Sequence, residues 1–176
     1  MKITREKEER GMTMAGNGGG FRQNLAQYLN AGYSALYCPT HEEGRALDEI
    51  RDVAKGLQPD PRTVWAWSHT RGWVGPDGKP IKSDVRGAHS PTDAIRQITQ
   101  IPIPEETILV LLDFHPFLGA AGPVIEVIRL IRDVLPVLSG TGRTLILLTP
   151  IHGAIPPELQ KDLHVLPGDG SSYCEL

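Results

Sequence analysis

Cysteine is scarce in this sequence. Cys38 and Cys174 lie far apart and in no metal-binding or redox spacing, which excludes a disulfide-dense scaffold and fits a reducing, cytoplasmic setting. A charge excess is also lacking: 18 Lys and Arg stand against 21 Asp and Glu, for a net charge of −3. A dedicated nucleic-acid binder normally carries a basic excess, so nucleic acid is not an expected partner. No run approaches the ~18 uninterrupted apolar residues of a membrane span. The N-terminal MKITREKEER is charged and leads into glycines, with no apolar signal core. What is present is an ordinary 40% of hydrophobic residues in 176, together with 19 glycines and 15 prolines. That length suits one domain with its own core, and the Gly and Pro imply many turns between apolar runs.

Residues 1–20 read as a flexible leader, with mixed charges followed by MAGNGGG. From Phe21 the pattern is regular. Phe21, Leu25, Tyr28 and Leu29 make a helical stripe with Gly32 as its C-terminal stop. An apolar strand follows over 35–38, then a helix carrying Ala46, Leu47, Ile50, Val53 and Ala54 and closed by Gly56. A strand at 64–67 leads into a long irregular or hairpin loop over 71–89. Ser90-Pro91-Thr92-Asp93 starts a helix through Gln100. TILVLLD at 107–113 is the strongest strand, apolar on both faces. A helix from Pro123 to Leu135 is expected to stop or kink at Pro136. Strands at 144–148 and 163–166 complete the pattern, and 168–176 is a polar tail. Helices alternating with apolar strands predict a three-layer αβα domain over 21–167 around a mostly parallel, five-stranded sheet.

Ligands in such sheets bind outside the carboxyl ends of the strands, so chemistry is sought there. The first exit reads Pro39-Thr40-His41-Glu42-Glu43. No G-x-x-x-x-G-K-[ST] phosphate loop occurs; Gly78-Lys79 is followed by Pro80. Thr40 and Glu43 instead spell a T-x-x-E capping box, whose side chains and negative charge occupy the helix start a phosphate would need. Asp113 stands where a phosphate-loop ATPase keeps its magnesium-associated acid, but Phe114 follows in place of a water-orienting Glu. Asp113 is therefore expected as a structural acid, hydrogen-bonded by its loop or by Thr149, with Asp113→Asn mildly destabilising. Thr149 is the polar residue at the next exit, where such ATPases sense the γ-phosphate. These four positions are cofactor-site candidates by analogy alone. No catalytic residue and no cofactor is assigned.

A metal centre is the competing chemistry. His41, His69, His115 and His152 each lie just beyond a predicted strand, with Asp113 among them. Convergence of two or three imidazoles with a carboxylate would hold zinc and support a metal-dependent hydrolase, although no two share a recognised ligand spacing.

Seven stretches in order carry a family resemblance: FRQNLAQYLNAGYSALYCPTHEEGRALDEIRDVA, VWAWSHTRGW, SPTDAIRQI, ILVLLDFHPFL, IRLIRDVL, RTLILLTP and IPPELQKDLHVL. With them the chain resembles the N-terminal, nucleotide-site-lacking half of the AAA-family ATPases typified by a conserved open reading frame of plastid and cyanobacterial genomes. The resemblance implies a P-loop-NTPase-like domain without its Walker A loop, normally followed by a linker and a true AAA+ domain. It differs in Pro136 and Gly140 within a helix, in the Gly/Pro-rich loop at 72–80, and in its polar end at GDGSSYCEL. The implied function is that of an interaction or regulatory module. Its partner would be another protein, an AAA+ ATPase, or a second copy of itself. The alternative is an ATP-binding subunit completed by a downstream or partner AAA+ domain.

Overall fold

A computed structural model describes residues 20–81, 89–100, 103–119, 124–150 and 155–166. The expected leader up to residue 19, the tail from 168, and His152 lie outside the described residues.

Period-two alternation in three strands builds the core. Strands β1 (Ala35–Pro39), β4 (Ile108–Leu112) and β5 (Thr144–Thr149) are buried along nearly their whole length. Successive residues point to opposite faces. Thus Tyr37, Leu109, Leu111, Leu145 and Leu147 enter one apolar cluster, and Leu36, Cys38, Ile108, Val110, Ile146 and Leu148 enter the other. Helices α1 (Phe21–Asn30) and α2 (Glu43–Gly56) cover the second cluster with Leu25, Leu29, Ala46, Ile50 and Ala54. Helices α3 (Pro91–Gln100) and α5 (Ile125–Gly140) cover the first with Ile95, Ile98, Val127, Ile131 and Leu138. The result is the expected three-layer αβα sandwich of P-loop-NTPase-like type.

Among the described residues the sheet has six strands, one more than the sequence predicts. β2 (Val64–Ser68) turns back antiparallel into β3 (Gly72–Val74), which forms the hairpin's short outer edge. Of the described strands only β3 is antiparallel; β6 (His164–Val165) pairs with β1 at the other edge, and the order is β3-β2-β4-β5-β1-β6. The chain leaves β1 through α2 on one face, and leaves β4 through α4 (His115–Leu118) and α5 on the other. A crevice at the carboxyl ends of β4, β5 and β1 follows from that divergence.

Helix boundaries obey local chemistry with two departures. Gly32, at φ 77°, ends α1 in a Schellman turn: its N–H donates to Leu29 O and that of Tyr33 to Tyr28 O, both at 3.2 Å. Ser90 Oγ accepts the Asp93 N–H at 3.2 Å, capping α3 as its sequence predicts. Pro136 does not stop α5, which runs on to Gly140. Val134, Leu135 and Leu138 flank the proline and are buried, and their packing sustains the last turns. The expected capping box at α2 does not form. Thr40 Oγ1 accepts the N–H of Glu42 at 3.1 Å, two residues on, so the helix starts at Glu43 with no side-chain cap. Among the described residues, no helix is long and apolar enough to cross a membrane.

Candidate functional site

The crevice at the strand ends is a cleft of about 290 Å³, lined by Thr40, His41, Glu43, Asp113, Leu148, Thr149 and Pro150. Three strands position these groups. Thr40 continues β1 by donating its N–H to Thr149 O at 2.7 Å. Asp113 follows β4 directly and donates its N–H to Leu148 O at 3.0 Å, which ties the turn to β5. Its φ of 49° lies in the left-handed region, which aspartate tolerates better than most residues. That reversal turns the residue outward, so Asp113 is exposed rather than buried. Next in sequence, Phe114 points the other way and is fully buried. Its ring stands edge-on to Trp67 at 5.5 Å and Phe117 at 5.3 Å. The position after the acid thus belongs to an aromatic cluster beneath the sheet end.

Starting α2 at Glu43 has an electrostatic consequence. As first residue of the helix, Glu43 lines the cleft together with Asp113. Burial raises the proton affinity of Glu43 above the usual glutamate value, and the charge and hydrogen bond of Asp113 raise it further. The helix start that would attract an anion is therefore faced by two acids. Thr149, 1% exposed, donates its hydroxyl proton to Tyr37 Oη at 3.0 Å. One hydroxyl has one proton to give, so the donor expected for Asp113 serves Tyr37 instead.

The structure thus brings Thr40, His41, Glu43, Asp113 and Thr149 to one cleft. His115 begins α4 and His69 follows β2, where its ring packs near Phe117 at 5.7 Å; neither lines the cleft. Among the described residues, no three His, Cys, Asp or Glu side chains gather as a metal would require. Sequence reasoning missed Tyr37, the buried phenol under the cleft. Its signal was a polar tip inside a strand otherwise apolar on both faces, since a buried Tyr hydroxyl requires a partner.

Chemically, the cleft offers a carboxyl pair, two threonine hydroxyls and one imidazole. Among the described residues it has neither the lysine nor the glycine-rich loop that cradle a nucleotide's phosphates. No curated protein matches the chain. The family model described as "SpoVK-like AAA ATPase, N-terminal domain" matches residues 21–167. That span runs from the first residue of α1 to just past β6 and contains the sheet, both helical layers and the cleft, so the chain belongs to the family of SpoVK-like AAA ATPase N-terminal domains.

Proposed function

We propose that this domain is a non-catalytic, NTPase-like module that regulates by docking, with an AAA+ ATPase domain as its partner. The observation that carries this reading is that Glu43 and Asp113 line one cleft, which sets two acids at the sheet end where a P-loop NTPase would hold phosphate. Like charge disfavours the triphosphate, and Phe114 occupies the place of a catalytic acid inside the core. Support for docking comes from α5 and its approach: Ile125 is 78% exposed, and Val124 and Val137 are also exposed. Within the family, the seven motifs quoted above favour the branch typified by the plastid and cyanobacterial reading frame, in which an AAA+ domain follows. A cytoplasmic location belongs to the same proposal.

Calorimetry with Mg-ATP tests the reading on the isolated chain and should give no heat beyond dilution. Micromolar binding would overturn it in favour of a nucleotide-binding subunit. Mixing with an AAA+ ATPase domain should show association that Ile125→Glu weakens, whereas association with a second copy would transfer the docking role to self-assembly.

A further inference from the structure

Helix α5 turns its apolar side to the core and leaves Ile125, Arg129, Asp133 and Val137 exposed on the other. These residues are spaced by four, so they form one ridge of the kind by which helices pack together. An exposed isoleucine by itself means little. The order of the row is what singles it out. From its N-terminal end the row runs apolar, base, acid, apolar. Reversed, it runs apolar, acid, base, apolar, which complements the forward order at every position. We propose that a second copy of this chain packs on this ridge, the two α5 helices running antiparallel. Each Ile125 then lies against Val137 of the other copy, and each Arg129 against its Asp133.

The charges flanking the ridge are already engaged within the domain. Glu126 pairs with Arg96 on α3, and Arg132 pairs at 3.8 Å with Asp162, two residues before β6. Arg129 and Asp133 pair with each other along the ridge, Nη2 to Oδ1 at 2.8 Å and Nε to Oδ2 at 3.2 Å. Both side chains remain more than half exposed in that pair. A guanidinium has N–H donors to spare for a second carboxylate, and a carboxylate has lone pairs to spare for a second guanidinium. Two antiparallel copies therefore build an alternating square of two arginines and two aspartates, each charge between opposites. An Ile125–Val137 contact closes the square at either end. One two-fold axis over the middle of the ridge generates both halves, so the assembly closes at two copies.

One helix against another is a small contact, below the ~1,200 Å² at which standard specific interfaces begin, so the dimer is expected to dissociate in the micromolar range or above. The proposal rests on the docking reading in one respect: both use the outward side of α5. An AAA+ domain seated there competes with the second copy and should displace it in a mixture. A copy that resists displacement is the case in which the docking role passes to self-assembly.

Sedimentation equilibrium of the full chain, from low to hundreds of micromolar, should give a mass rising from one copy toward two. Arg129→Asp leaves two acids on the ridge and Asp133→Arg leaves two bases, so like charges meet in either dimer. Each variant alone should dimerise at least about tenfold more weakly than the wild type. Mixed together, they set acids against bases and should recover the wild-type affinity. Exchanging both residues in one chain restores the self-complementary order and should do the same. An exposed ion pair contributes little to folding, so melting temperatures should stay near that of the wild type. A chain that is monomeric at every concentration would overturn the proposal. So would a dimer indifferent to the single variants, or single variants that fail to recover on mixing. Binding to an AAA+ domain by a chain that never dimerises would leave the docking reading standing, so the two readings fail separately.

Discussion

The hydroxyl of Thr149 donates to the phenol oxygen of Tyr37 at 3.0 Å, so the last residue of β5 is tied by its side chain to the middle of the neighbouring β1. Both residues are buried, so the bond lies out of reach of bulk water. Tyr37→Phe removes the acceptor and should destabilise the domain by about 1 kcal/mol in urea denaturation. Thr149→Val should cost a similar amount alone and much less in the Tyr37→Phe background, because the bond is already gone. Fully additive losses would mean that the two hydroxyls do not depend on each other.

Glu43 makes stability depend on pH in an unusual direction for an acid. Its proton is held more tightly in the folded chain than in the unfolded one. The folded state therefore binds more protons in the interval between the two midpoints, and stability falls as pH rises through it. The contribution is fully present below the ordinary value of 4.5 and lost as pH climbs through the raised folded midpoint. Asp113→Asn removes the like charge and should be more stable than the wild type at neutral pH, with the difference shrinking on acidification. This reverses the sequence-based expectation of mild destabilisation, because Asp113 is exposed and faces an acid instead of a hydroxyl donor. Thermal melts of both proteins across the acid-to-neutral range check the sign; a variant less stable at neutral pH would contradict it. Asp113→Ala should fare worse than Asp113→Asn, because alanine at φ 49° costs about 1 kcal/mol of backbone strain.

The architecture was legible wherever burial dictates composition. The runs at 108–112 and 144–149 are apolar on both faces because helices cover both, and they mark central strands without further information. β3 was hidden because Gly72-Trp73-Val74 is too short to show periodicity and sits in a turn-rich stretch. The cleft residues were legible one by one, since each ends a strand or follows one within a few residues. Their pairing was not. Glu43 and Asp113 line one cleft because β1 and β4 both flank β5 in the sheet, an order no local pattern encodes. The capping box failed for a local reason: Thr40 has two ways to satisfy a nearby N–H, and the one two residues away competes with the helix cap.

Pro136 lies inside α5, exposed, with helix on both sides. A proline there lacks the N–H that would bond to the carbonyl four residues earlier and crowds that carbonyl with its ring. Tertiary packing of Leu135 and Leu138 offsets the cost without abolishing it. Pro136→Ala should therefore stabilise the domain by roughly 1 to 3 kcal/mol, a gain visible as a raised denaturation midpoint with an unchanged slope. An unchanged midpoint would show that α5 has fully adapted to the ring.

Arg143, just before β5, acts as a clamp on backbone carbonyls. Its guanidinium donates to Pro104 O at 3.2 Å, to Ile98 O at 3.4 Å and to Ile103 O. Ile98 lies in the last turn of α3, where carbonyls lack partners within the helix. One side chain thus joins the end of α3, the approach to β4 and the start of β5. The planar fork is suited to this, because its donors diverge in fixed directions, whereas a lysine ammonium is a compact point charge on a flexible stem. Arg143→Ala removes the donors to all three carbonyls and should cost on the order of 2 kcal/mol, since hydrogen bonds to charged groups are the stronger kind. Arg143→Lys keeps the charge but not the fork, and should recover less than half of that loss. Urea denaturation measures both, and hydrogen exchange at the end of α3 locates the effect. If lysine restored full stability, charge alone would account for the residue, and the three-way clamp would not.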